Sequence, residues 1–153
     1  MIRHTATVDW ALKPGEDFLR GRYSRGHTLS FDGGAVVEAS SSHHVVPKPW
    51  SVEAAVDPEE LLVAALANCH MLTFLHVARD AKFVVTSYRD EAEGVMEKTG
   101  EGRWAVTKVT LRPQIAYAGE APDAATAEAL HHAAHDGCFI ANSVKTQVVV
   151  EPR

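Results

Sequence analysis

Residues 57–72 read Asp57-Pro-Glu-Glu-Leu-Leu-Val-Ala-Ala-Leu-Ala-Asn-Cys-His-Met-Leu, and this stretch decides the fold. Asp57 can accept hydrogen bonds from the first free backbone N–H groups of a helix. Pro58 suits the first helical position, where its missing N–H costs nothing, and Glu60 completes a capping box with Asp57. From Leu61 to about Arg79 the predicted helix is roughly 30 Å long at ~1.5 Å per residue. It is apolar almost all the way round, and a helix without a polar face belongs inside a core or between subunits. Asn68, His70 and His76 interrupt the run and soluble-type charges flank it, which argues against a membrane span in spite of its length. In its middle sits Cys69.

Working outward, the chain reads as strands, this helix, strands, a second helix and a final strand. Residues 3–10 and 27–31 alternate apolar with polar, and Asp32-Gly-Gly separates 27–31 from 35–39, which predicts a hairpin. Residues 40–56 hold Ser40-Ser-Ser-His-His and two prolines around Lys48, the pattern of a surface loop. Stretches 83–97 and 103–117 alternate and are joined by Lys98-Thr-Gly-Glu-Gly, predicting two long antiparallel strands. Pro122 opens a helix rich in Ala and His that runs to Gly137 as its C-terminal cap. Thr146 to Glu151 predicts the last strand. No repeat, low-complexity tract or linker interrupts the 153 residues, so one domain spanning 1–153 is expected.

Composition narrows the function classes. A net charge of -5, with Lys and Arg scattered rather than striped, gives no support to a nucleic-acid partner. The first ten residues lack a basic region followed by an apolar core, so no secretory signal is read and a cytoplasmic location is expected. Two cysteines, Cys69 and Cys138, make one possible redox pair in a reducing compartment, although free cysteines are also common core residues. A thiol attacks only as thiolate, which requires a cation or a dipole, and mid-helix the macrodipole offers little. The cation must be a side chain: Arg20, Arg22 and Arg25 precede the first hairpin, and His70 adjoins Cys69. An arginine fork needs a carboxylate to orient it, and Glu59 and Glu60 are candidates. Ten helical residues, ~15 Å of rise and about 80° of rotation separate Glu59 from Cys69, so one helix cannot bring them together. First-turn helix stabilisation accounts for at least one of the two glutamates.

The segment 57–70 resembles the first-cysteine motif of the OsmC/Ohr family of osmotically inducible and organic hydroperoxide resistance proteins. Cys138-Phe-Ile-Ala-Asn-Ser-Val-Lys-Thr resembles its second-cysteine motif, and the order of elements agrees over nearly the whole chain. The resemblance implies an α+β fold, with antiparallel sheets wrapped around central cysteine helices in an intertwined homodimer. It also implies a thiol peroxidase for organic hydroperoxides, acting in stress defence without a cofactor and reset by an external dithiol. Carried over residue by residue, Cys69 is peroxidatic, Cys138 resolving, and Glu59 the motif's glutamate. The catalytic arginine falls on Arg25, with Arg22 as second choice. Phe139 departs from the proline that many members carry after the second cysteine. His70, the His43-His44 pair and Trp50 mark a less characterised OsmC-like branch.

In that reading Cys69 attacks the distal oxygen of ROOH to leave a sulfenic acid, Arg25 stabilises thiolate and alkoxide, and Cys138 closes a disulfide. Leu66, Met71, Leu72 and Trp50 are expected to give the site apolar surroundings that favour a greasy hydroperoxide. Two alternatives stand beside it. His131 and His135 lie one helical turn apart with Cys138 three residues on, a possible metal set. A non-enzymatic dimer binding apolar ligands is the other.

Overall fold

The computed structural model describes residues 1–153, which form two compact units, Met1–Leu61 and Leu62–Arg153. The first unit is a three-stranded antiparallel sheet, β1 (Ala6–Asp9), β2 (His27–Phe31) and β3 (Val36–Ala39), with β2 in the centre. Gly34, at φ +86°, turns the β2–β3 hairpin where a side chain would strain the backbone. Between β1 and β2, residues 10–26 form an aromatic loop. Beyond β3 the 40–56 segment has no regular element but is not a plain surface loop: Ser40, Ser42 and Ser51 are buried. Ser40 anchors it twice, its N–H donating to the Val56 carbonyl and its Oγ accepting from the Val52 N–H, both at 3.0 Å.

Helix α1 (Pro58–Asp80) begins with the capping box that residues 57–60 predict. The Glu60 N–H donates to Asp57 Oδ1 at 2.7 Å, and the Asp57 N–H donates to Glu60 Oε2 at 3.0 Å. The helix runs to the expected end, but one face alone is buried: Leu66, His70, Phe74 and Ala78, each four residues from the next. Four-residue steps keep side chains on one stripe of a helix. Leu72, outside the stripe, is 57% exposed.

In the second unit the two long strands predicted over 83–97 and 103–117 each break in two. Strand β4 (Val84–Asp90) pairs with β7 (Pro113–Ala118), and β5 (Glu93–Lys98) pairs with β6 (Trp104–Leu111), both antiparallel. The break is held by polar contacts that alternation does not reveal. Asp90 Oδ1 accepts the Arg112 backbone N–H at 2.6 Å, and the Arg112 guanidinium pairs with Glu93 at 2.9 Å. Strand β8 (Gln147–Val150) closes the second sheet by pairing with β6, in parallel. Helix α2 (Ala124–Asp136) starts at Asp123, whose Oδ1 accepts the Thr126 N–H at 2.8 Å, so Asp123 rather than Pro122 opens it. Gly137 ends it without a left-handed turn, at φ -83°. Space there is tight: a Cβ would stand 3.0 Å from Thr73 Cγ2 on α1, which would have to give by a few tenths of an ångström.

Two apolar clusters fill this unit. Phe74 and Ala78 of α1 pack on Leu130 and Ala134 of α2, flanked by Phe83, Val85 and Ile115. Leu66 packs on Val109 and Leu111 of β6, flanked by Val63, Val106 and Val148. Burial of this kind contributes about 25 cal/mol per Å² of apolar surface and is the chief stabilising term. Gly94 lets β5 approach α1, because a Cβ there would stand 2.5 Å from Val63 Cγ2.

Candidate active site

Helix α1 and the segment after α2 bring Cys69 and Cys138 together. Cys69 is half-buried on α1, Cys138 is 1% exposed, and both are free thiols. The local backbone fixes Cys138: its N–H donates to the His135 carbonyl at 3.1 Å, and its own carbonyl accepts the Asn142 N–H at 3.0 Å. A short 3-10 turn (Ala141–Ser143) follows, and the Ala141 N–H points at Cys138 Sγ at 3.4 Å. Phe139, where the resemblance leads one to expect proline, is turned outward.

Burial pushes the Cys138 thiol up from its ordinary range, and the hydrogen bond and charge of the Cys69 sulfur push it further. Backbone N–H groups of Ala141 and Ile140 oppose this. The two sulfurs are thus near neighbours, and Cys138, the more buried of them, is the one whose thiol form is favoured.

Behind this pair the two helices share a second contact. His70 Nε2 and His131 Nδ1 lie 3.2 Å apart, with the rings nearly parallel and Phe74 4.4 Å from His131. Both imidazoles are buried, and His70 Nδ1 has no partner. Burial, then repulsion from His131 and His135, lowers His70 to about 4, and burial lowers His131. Two neutral rings at neutral pH follow, so His70 is a core residue and not the cation that activates Cys69. The suggested metal set does not form. His131 turns into the core, and no three His, Cys, Asp or Glu side chains converge as ligands.

Arg25 and Glu59 belong to the first unit. Arg25 Nη1 donates to the carbonyls of Gly21 at 2.9 Å and Tyr23 at 2.6 Å, and its guanidinium lies 3.7 Å from the centre of the Tyr23 ring. Two tethers and a cation–π contact fix the fork on its own loop. Arg22, by contrast, is exposed. Glu59 makes no ion pair with Arg25; the carboxylate whose field Arg25 shares is Glu16, which sequence reasoning missed. Glu16 is held chiefly by backbone N–H groups, those of Lys13 at 2.9 Å and Ser24 at 2.8 Å, which lower it below the usual carboxylate range. The apolar surroundings expected near Cys69 also change. Leu66 belongs to the core cluster with Val109 and Leu111, and Leu72 faces outward.

An α+β chain with one cysteine on a long helix and a buried second thiol behind the next defines a protein of the OsmC/Ohr fold. The family described as OsmC-like protein matches residues 51–153, and the chain belongs to it. An OsmC-like protein of unknown function from Vibrio cholerae O1 biovar eltor str. N16961 is 51% identical over 100% of both chains, with a TM-score of 0.97. Peroxiredoxin OsmC of Escherichia coli (strain K12) is 26% identical over 140 residues, 91% of this chain and 94% of that protein. An organic hydroperoxide resistance protein OsmC from Legionella pneumophila shares the fold at 20% identity, with a TM-score of 0.71 over 99% of this chain and 96% of that one. The family thus includes proteins named as peroxiredoxins and as hydroperoxide resistance proteins.

Proposed function

We propose that this protein is a thiol-dependent peroxidase that reduces organic hydroperoxides to alcohols. It would act as a homodimer, in the cytoplasm, in oxidative or osmotic stress defence. The observation that carries the reading is the pairing of two free thiols, half-buried Cys69 on helix α1 and buried Cys138 behind α2. A thiol must be reachable to attack peroxide, so the more exposed sulfur, Cys69, is the attacking group and Cys138 the one that resolves. In the first step Cys69 sulfur attacks the distal oxygen of ROOH. The S–O bond forms as the O–O bond breaks, the sulfur loses two electrons, and RO⁻ leaves to take a proton as ROH. In the second step Cys138 sulfur attacks the Cys69 sulfenic acid, closing the disulfide and releasing water with the Cys138 proton. An external dithiol then returns both thiols and leaves as its own disulfide. Arg25 and Glu59 enter on the resemblance, with Arg25 as the cation for thiolate and alkoxide.

The test is thiol titration before and after one equivalent of cumene hydroperoxide. Loss of both thiols as an intramolecular disulfide is expected in the wild type, with no turnover in Cys69→Ser. In Cys138→Ser a sulfenic acid that reacts with a cyclic dione is expected instead of the disulfide. Unchanged thiols after peroxide would overturn the peroxidase in favour of a non-enzymatic dimer that binds apolar ligands.

A further inference from the structure

Within the second unit, His70 and His131 meet in the core between the helix that carries Cys69 and the helix that leads to Cys138. Their facing nitrogens are 3.2 Å apart, the ring centres 5.5 Å apart, and the ring planes differ by 7°. The centre separation is close to the N···N distance plus the two ring radii. The rings therefore lie edge to edge in one plane, with each nitrogen aimed straight at the other, which is a directed hydrogen bond rather than a face-to-face stack. A neutral imidazole has one N–H and one bare nitrogen. His70 Nδ1 is sealed without a partner, and an orphaned N–H is the rarer kind of buried orphan. The hydrogen thus belongs on His70 Nε2, which donates to His131 Nδ1.

As a stabiliser the pair is poorly chosen. The residues are 1% and 6% exposed and one nitrogen is unsatisfied, a cost that two apolar side chains in the same space would not carry. What the pair adds is direction. The other contacts between the helices are apolar, Phe74 and Ala78 on Leu130 and Ala134, and such packing is non-directional. The His70–His131 bond is the one side-chain hydrogen bond that joins α1 to α2. Each of its ends is tied to a thiol. His70 follows Cys69 directly, so a rotation of α1 that moves one moves the other. His131 stands about two turns before Cys138. Backbone bonds carry the helix through to the thiol, from the Gly137 N–H to the Ala133 carbonyl at 3.0 Å and from the Cys138 N–H to the His135 carbonyl at 3.1 Å.

We propose that the His70–His131 bond is a positioning device for the thiol pair, setting the rotation of α1 against α2 so that Cys69 and Cys138 are held within bonding reach. The inference rests on the peroxidase reading for the reaction served, disulfide closure after peroxide, and on this geometry alone for the effect on the two thiols. Groups held in register behave as if at high effective concentration, and loosening them lowers it.

The test needs no peroxide. Reduced protein is equilibrated at pH 7 with oxidised and reduced glutathione, and the fraction of disulfide is read by mass after acid quench and alkylation. Cys69 and Cys138 each give up a hydrogen as their S–S bond forms, and glutathione disulfide is reduced to two thiols. In His70→Leu/His131→Leu, which keeps the core apolar and near its volume, the equilibrium constant for the disulfide should fall about five-fold, the scale of one hydrogen bond. The thermal midpoint of the reduced protein should hold. In His70→Gln the amide Nε2 can donate where the imidazole Nε2 does, and the constant should return to the wild-type value. An unchanged constant in the double variant overturns the proposal, whether or not the midpoint falls, and so does a constant in His70→Gln as low as in the double variant. If the double variant does not fold, His70→Met, which also loses the bond, takes its place with the same expectation. A wild type that forms mixed disulfides with glutathione but no Cys69–Cys138 bond overturns it as well. A five-fold fall in a protein whose Cys69 no hydroperoxide oxidises supports the positioning bond and sinks the peroxidase. Oxidation of Cys69 by cumene hydroperoxide with an unchanged constant does the reverse.

Discussion

His70 and Cys69 are neighbours on one helix with opposite duties. Cys69 is half-buried and meets another thiol, whereas His70 is sealed against His131 with one nitrogen unpartnered. The burial has a consequence for stability. Below its ordinary value of 6.5 the unfolded imidazole takes up a proton that folded His70 refuses until about 4. The unfolded state then binds more protons, so the folded state loses stability as pH falls through that window, by at most about 3 kcal/mol. His131 and His135 on α2 face the same ring and would repel the added charge. The urea midpoint should therefore drop between pH 7 and pH 4.5 in the wild type and drop less in His70→Gln; equal drops would show that other groups carry the effect. Arg25 gives a second prediction at this scale. Arg25→Met should slow alkylation of Cys69 at neutral pH by roughly ten-fold or more, as loss of a nearby cation does, while Arg22→Met changes it little. A large effect from Arg22→Met alone would move the role to that residue.

At the level of elements, the start of α1 was legible because its cap is local, Asp57 and Glu60 interacting across three residues, whereas α2 was read from Pro122 and its cap is the next residue, Asp123. The bend that divides β4 from β5 and β6 from β7 was not. Its contact joins Asp90 to Arg112, 22 positions apart, and alternation continues through it. For the same reason the sequence could nominate His131 for a metal but not show that its partner is His70, 61 positions away. The two cysteine motifs were legible through resemblance, whereas the bonds of Glu16 to the Lys13 and Ser24 N–H groups depend on how its loop folds, not on its spelling. Gly94 offers a test of packing between elements. Gly94→Ala should destabilise the protein by roughly 1–3 kcal/mol through overpacking against Val63. Adding Val63→Ala should recover part of the loss, and an unshifted thermal midpoint in Gly94→Ala would show that β5 has room to move.

For the whole molecule, α1 is the outstanding element. It is apolar over most of its length yet buries a single stripe in the isolated chain, and Leu72 stands outside that stripe. Such surface usually marks an interface between chains, and a second copy is the occupant we propose. Light scattering at micromolar concentration should give twice the chain mass. Leu72→Glu should shift the population towards monomer, and a monomeric mass for the wild type would remove the homodimer.

The parallel pairing of β8 with β6 sets an order of events during synthesis. Strand β6 ends at Leu111 and meets its parallel neighbour only when Gln147–Val150 has left the ribosome, after α2 and the second cysteine have been made. A nascent chain halted before Gln147 leaves that edge of β6 unpaired and the Val109–Leu111 cluster without Val148 and Val150. Exposed strand edges and apolar clusters are what chaperones and proteases engage. A chain that has closed this sheet has therefore already made both thiols, whereas one halted short of Gln147 keeps the edge of β6 open.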